Sequence, residues 1–200
     1  GVTPDLITFS ILIKANCDAG RMGAALELRE SMLRMDLAPD EVVFNNLLSG
    51  CINTPNMELA RRLYADMIQG GVRPSNATFS IMIRVYAACK GLDAAVDMMR
   101  TEPELRGVEC EPRLFVQLAQ ACLRERQGRR AVEVYKMLAQ HSEPTMAINS
   151  NILGMCAKLN MLDTGAEIVA VANTAGGKID PRDSERLKAV PLRKRRPGGA

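Results

Sequence analysis

Trp is absent from the sequence, aromatic residues make up 4% of it, and a single histidine, His141, is present. So few aromatics argue against a sandwich of aromatic-rich strands, and the 12 methionines suit helices packed with Leu, Ala, Ile and Met. No apolar run reaches membrane-spanning length, which argues against a membrane partner, and no signal or transit segment opens the chain. Cys17, Cys51, Cys89, Cys110, Cys122 and Cys156 form no CxxC pair, so they read as reduced small hydrophobes in a reducing compartment. A catalytic constellation is missing too. His141, read as part of a connecting loop, has no acid placed beside it by spacing. Gly176-Gly177-Lys178 is followed by Ile179 where a phosphate loop has Ser or Thr, and metal-ligand spacing is not found. The chain is therefore expected to be no enzyme, to need no cofactor or metal, and to take no small-molecule substrate.

Charge is unevenly placed. Residues 182–200 carry seven Lys/Arg against Asp183 and Glu185, whereas 1–181 carry 19 basic and 21 acidic residues. A body close to neutral holds a phosphate backbone only modestly. The basic, Pro-rich segment 182–200 is expected to be a disordered tail; its Leu192–Arg196 run suits nonspecific nucleic-acid affinity or a nuclear address.

What the sequence does have is a period of 35. It aligns Pro4, Pro39 and Pro74; Phe9, Phe44 and Phe79; Leu12, Leu47 and Met82; Ala25, Ala60 and Ala95; Leu28, Leu63 and Met98. Each Pro is followed by Asp5, Asp40 or Ser75, whose side-chain oxygen can cap a following helix. A first helix then runs over 9–17, 44–51 and 79–89, and a second follows with apolar residues at helical spacing. Gly20 suits a left-handed cap. Two looser units follow, with Phe115, Leu118 and Cys122 in one and Ile152, Leu153 and Cys156 in the other. The connection Thr101–Glu111 reads as lengthened, and Gly165 stands where earlier units have Ala. One hairpin cannot bury its apolar face alone, so an all-α solenoid of stacked helix–turn–helix units is expected, with the first helices lining a concave groove.

The stretches PDLITFSILI, DAG and AALELRESMLRMDLAPD, and again EVVFNNLLSG with ELARRLYADMIQGGVRPS, resemble the pentatricopeptide repeat. The resemblance covers about 6–181. It implies a right-handed superhelix of about five units, set at 6–40, 41–75, 76–111, 112–145 and 146–181, with 1–5 ending a preceding unit of a longer protein. It further implies single-stranded RNA as partner, one base per unit, in organellar RNA processing, stabilisation, editing or translation in mitochondrion or chloroplast. In such a unit the fifth and last residues meet the base edge and the second packs on the base face. Those roles fall on Ser10, Asp40 and Ile7; on Asn45, Ser75 and Val42; and on Ser80 and Ala77, the last residue of the third unit being Glu111 or Arg113. Ser10 with Asp40 suits guanine, and Asn45 with Ser75 suits a pyrimidine, cytosine first. Val116 at the fifth position of the fourth unit cannot bond a base, while Ser150 with Ala147 matches the pattern in the fifth. Lys14 and Arg84 are candidate phosphate contacts. The alternatives are a solenoid that docks other proteins, as the near-neutral body and Val116 suggest, or a spacer within a larger enzyme.

Overall fold

The computed structural model describes residues 4–188, and every regular element among them is an α-helix. The chain forms two compact units, 1–114 and 115–200.

The first unit contains α1 (Leu6–Asp18), α2 (Met22–Arg34), α3 (Glu41–Asn53), α4 (Met57–Gln69), α5 (Asn76–Ala88) and α6 (Leu92–Leu105), and the start of α7 (Pro112–Arg124). α1 packs on α2, α3 on α4 and α5 on α6 as antiparallel hairpins, while α1, α3 and α5 lie side by side. The punctuation is chemical. Asp5, Asp40 and Ser75 each sit in extended backbone before α1, α3 and α5, and each accepts a first-turn amide, from Thr8, Val43 and Ala77. Phe9, Phe44 and Phe79 are buried three residues into these helices, and Ala25, Ala60 and Ala95 are fully buried on the second helices, where a methyl lets the partner helix approach. Gly20 takes φ 69 after α1, as a glycine readily does, and Lys90 holds the same left-handed position after α5 at φ 56.

The connection expected over 101–111 is shorter than its sequence suggests. α6 does not stop before Thr101 but continues to Leu105 through Pro103. Proline is tolerated there because only one helical bond of the last turn is lost, the ring is buried, and its carbonyl accepts the Val108 amide at 2.8 Å. The turn then closes on Gly107 at φ 63.

The second unit holds most of α7, then α8 (Gly128–His141), α9 (Met146–Lys158), α10 (Leu162–Thr174) and α11 (Pro181–Lys188). α8 and α9 each pack on α10, and α11 lies on α9 and α10. His141 belongs to the last turn of α8 rather than to a loop: its Nδ1 lies 2.9 Å from the Met137 carbonyl and its ring centroid 5.0 Å from that of Phe115. The segment 182–188 is likewise helical, not disordered. Leu187 fills the space that the missing Cβ leaves at Gly165, where an added Cβ would meet Leu187 Cδ2 at 2.5 Å, and Asp183 is 4% exposed. The Leu192–Arg196 run lies outside the described residues.

All six cysteines are free, and Cys17, Cys51, Cys122 and Cys156 are buried. Burial pushes the thiols of Cys17, Cys51 and Cys156 from the ordinary 9.0 up to about 11, and the Tyr135 hydroxyl from 10.0 up to about 12. These groups hold their protons more tightly folded than unfolded. Their stabilising contribution is complete below about pH 9 and is lost as pH rises through 11 to 12. Urea denaturation at pH 8 and pH 11 is expected to show a markedly lower midpoint at the higher pH.

Candidate nucleic-acid interface

In the first unit, the candidate site residues lie on the first helices or at their starts. Ile7 is 67% and Val42 56% exposed, and Ala77 is exposed as well. Each stands one residue into its helix, so the cap holds the backbone while the apolar group faces solvent. Branched side chains of that exposure leave more than half of their surface uncovered by the unit itself; Ile11, at 63%, adds to the same strip on α1.

The polar candidates are not equivalent. Ser10 is half-buried and receives Asn46 Nδ2 at 3.2 Å on its hydroxyl and 3.4 Å on its carbonyl, which ties α1 to α3. Asp40 spends one carboxylate oxygen on the Val43 amide, 2.9 Å away. No hydrogen bond joins Ser10 to Asp40 among the described residues. Asn45 and Ser75, by contrast, meet at one carboxylate. Asn45 Nδ2 donates to Glu41 Oε1 at 3.2 Å, and the Ser75 hydroxyl donates to the same oxygen. Ser80 is half-buried on α5. Lys14 pairs with Asp18 at 2.7 Å, both exposed, so the phosphate role expected of it competes with a neighbour. Arg84 is exposed on α5.

Between Glu111 and Arg113, the helix boundary decides which residue closes the third stretch. α7 begins at Pro112, so Glu111 takes the place that Asp5, Asp40 and Ser75 hold before their helices. Asn76, the first residue of α5, pins it there. Its Oδ1 accepts the Glu111 amide and its Nδ2 donates to the Glu109 carbonyl, both at 3.0 Å, while the Glu111 carboxylate pairs with Arg113 at 2.6 Å.

In the second unit α7, α9 and α11 frame a groove of about 720 Å³ lined by Gln120, Arg124, Ser150, Asn151, Lys158 and Arg186 among others. Gln120 donates to Asn151 across it at 2.6 Å. Arg186 lies 3.6 Å from Asp183, but Arg124 and Lys158 are exposed and have no carboxylate partner among the described residues. Val116 and Ser150 are half-buried, Ala147 exposed. Among the described residues no group of three His, Cys, Asp or Glu is arranged to hold a metal, and no helix is long and apolar enough to cross a membrane.

The sequence pattern of the PPR repeat family matches residues 4–51 and 39–88, the stretches that carry these helices and caps. Residues 4–88 are pentatricopeptide repeats. A chloroplastic pentatricopeptide repeat-containing protein of Arabidopsis thaliana is 29% identical over 109 residues, 53% of this chain and 14% of the relative. The small ribosomal subunit protein mL103 of the same plant is 29% identical over 82 residues, 41% of this chain and 20% of the relative. This repeat chain thus spans a fifth or less of the length of these relatives. The crystal structure of the maize pentatricopeptide repeat protein PPR10 superposes with a TM-score of 0.76 at 21% identity, over 97% of this chain and 28% of that one. The same fold appears in PPR10 bound to an 18-nt psaJ RNA element, with a TM-score of 0.60 at 17% identity over 93% of this chain and 27% of that one.

Three functional candidates escape the repeat pattern. Glu41 and Asn76 are first residues of their helices and act on groups 33 to 37 residues away. The pair Arg124 and Lys158 becomes visible only when α7 and α9 are set side by side. An exposed basic residue thirteenth in its unit is the only signal the sequence offers for that pair.

Proposed function

We propose that this pentatricopeptide repeat chain binds single-stranded RNA, with bases against the first helices of the first unit and phosphates at the groove of the second, in an organellar RNA-processing, stabilisation, editing or translation role. The observation that carries the reading is the recurrence of one arrangement at α1, α3 and α5. An exposed apolar residue (Ile7, Val42, Ala77) stands at the helix start, with a hydrogen-bonding residue three positions on (Ser10, Asn45, Ser80) and a capping polar residue two positions before it (Asp5, Asp40, Ser75). Such a site can hold the face of a base by dispersion and its edge by hydrogen bonds. Arg124 and Lys158, unneutralised beside Gln120 and Asn151, add the charge that a backbone requires. PPR10 in complex with RNA supports the reading by likeness of fold.

Fluorescence anisotropy with short single-stranded RNA over a salt series tests it. Arg124→Glu with Lys158→Glu is expected to weaken binding more than tenfold. The same change is expected to flatten the salt dependence by about 0.7 in log–log slope for each phosphate no longer neutralised. Any shortened chain for this comparison ends after Lys188, because α11 packs on Gly165. RNA affinity unaffected by the charge reversals would remove Arg124 and Lys158 from the site, and no affinity at all would favour the second reading, a protein-docking repeat array. Likeness to the ribosomal protein mL103 is the observation on that side.

A further inference from the structure

Glu41 is the one carboxylate among the first residues of α1, α3, α5, α7 and α9; the others are Leu6, Asn76, Pro112 and Met146. It is half-buried at the start of α3, and a single oxygen of it, Oε1, gathers three donors. These are Asn45 Nδ2 at 3.2 Å, the Ser75 hydroxyl, and Thr78 Oγ1 at 3.5 Å. Two of the three are the pair read above as meeting one base edge.

We infer that Glu41 fixes the hydrogen-bond polarity of the Asn45/Ser75 pair and thereby sets the choice between the two pyrimidines at one nucleotide. The inference rests on the RNA-binding reading. The chemistry follows from counting donors and acceptors. A carboxylate only accepts, so the amide of Asn45 has to turn its NH2 toward Glu41. Its Oδ1 is then directed inward, where it is buried with no partner, and it is withdrawn from any ligand. One amide hydrogen of Asn45 remains to be given. Ser75 has one hydroxyl proton, and Glu41 takes it; one lone pair is taken by the Ala77 amide at 3.1 Å. What Ser75 has left is a lone pair. Thr78, fully buried, keeps the arrangement in place by accepting the Ser75 amide at 3.2 Å while giving its own proton to Glu41.

The pair is therefore locked as donor at Asn45 and acceptor at Ser75. Cytosine and uracil differ in this very order along their pairing edge: cytosine presents an amino donor beside a ring-nitrogen acceptor, uracil a carbonyl acceptor beside a ring N–H donor. In a given seating one order is satisfied and the other leaves both groups opposed. Without the carboxylate, the amide can rotate and the hydroxyl can donate, so both orders become available. Glu41 is a positioning residue in this account, not a group that touches the base.

The test uses the 200-residue chain and Glu41→Gln, which keeps size and shape and lets the amide and hydroxyl reverse. Four RNAs that differ at one nucleotide are measured at each position along a short oligomer. The unaltered chain is expected to separate cytosine from uracil at one position by about tenfold. Glu41→Gln is expected to bring that ratio below about threefold there, leaving the ratios at other positions as they were. A merely structural role would lower all four affinities together and leave the ratio intact. Asn45→Ala serves as the control for the reading itself. A preference abolished by Asn45→Ala but retained in Glu41→Gln overturns the inference and leaves the RNA reading standing. A chain that binds RNA without any base preference overturns the inference and leaves RNA binding standing, and one that does not bind RNA overturns both. The side-chain amide of Asn45 gives an independent spectroscopic check: its 15N–1H2 resonances are expected to shift in Glu41→Gln with the fold unchanged by circular dichroism, and resonances that stay in place overturn the inference.

Discussion

Asn149→Leu is expected to cost about 2–4 kcal/mol, a fall in Tm of several degrees for a chain of this size. Asn149 occupies in α9 the place that Phe9, Phe44, Phe79 and Phe115 occupy in α1, α3, α5 and α7, three residues into the helix and fully buried. An amide in such a place is tolerated only because every polar atom around it is matched. Tyr135 donates its hydroxyl to Asn149 Oδ1, and Asn149 Nδ2 donates to the Lys178 carbonyl at 2.9 Å and the Pro144 carbonyl at 3.4 Å. Leucine has the same number and branching of side-chain heavy atoms and more apolar surface. Even so, it strands a hydroxyl and two carbonyls in a space closed by Gly177, where an added Cβ would lie 3.2 Å from the Pro144 carbonyl. Adding Tyr135→Phe removes one stranded group, so the double variant is expected to recover about 1 kcal/mol. Urea denaturation followed by circular dichroism checks both. A single variant as stable as the unaltered chain would mean that the hydrogen bonds contribute nothing net and that this place accepts any residue of its size.

The second large effect is expected at Gly50, where α3 presses on the first hairpin. A Cβ built there would lie 2.4 Å from Met22 Cε, 2.9 Å from Cys17 Sγ and 3.1 Å from Cys17 Cβ. The methionine methyl can swing aside, having several torsions to spend. Cys17 cannot, because it is 2% exposed and its sulfur is one bond from the backbone-anchored Cβ. Gly50→Ala gains up to about 1 kcal/mol of helix preference and loses about 1–3 to overpacking. Gly50→Val adds two methyls and a helix-disfavouring branch, and is expected to cost about 3 kcal/mol. Cys17→Ala in the Gly50→Ala background removes the sulfur and is expected to return most of the loss. If thermal melts show Gly50→Ala stabilised without that second change, α1 and α3 can separate more freely than the close approach implies.

These two sites mark the boundary of what can be read from the chain. The helices of the first unit are legible because their signals are local. Asp5, Asp40 and Ser75 follow a proline and bond an amide two or three residues on. Phe, Leu and Ala at one period declare the buried side. Signals depending on another hairpin are not legible. Nothing near Gly165 announces that Leu187 will lie on it, so 182–188 reads as part of a polar tail. Pro103 normally ends a helix, and only its burial and the Val108 bond show why α6 continues. At the candidate interface, positions are readable from the repeat, but hydrogen-bond states are not. Asn45 and Ser75 are neighbours through Glu41, which lies 34 residues from Ser75 in the chain.

The residues before the first helices carry a consequence for how such a surface can change. Asp5, Asp40, Ser75 and Thr145 each close the N-terminus of a helix with a side-chain oxygen. If the same side chains also select a ligand, the letters available at these four capped positions form a short alphabet: Asp, Asn, Ser and Thr, with glycine as a weak fifth. A switch within the alphabet alters selectivity at little structural expense. A switch outside it, to Ala or Val, costs about 0.5–2 kcal/mol of helix stability before any ligand arrives. Helix capping would then act as a grammar that restricts which binding preferences can be reached by single substitutions.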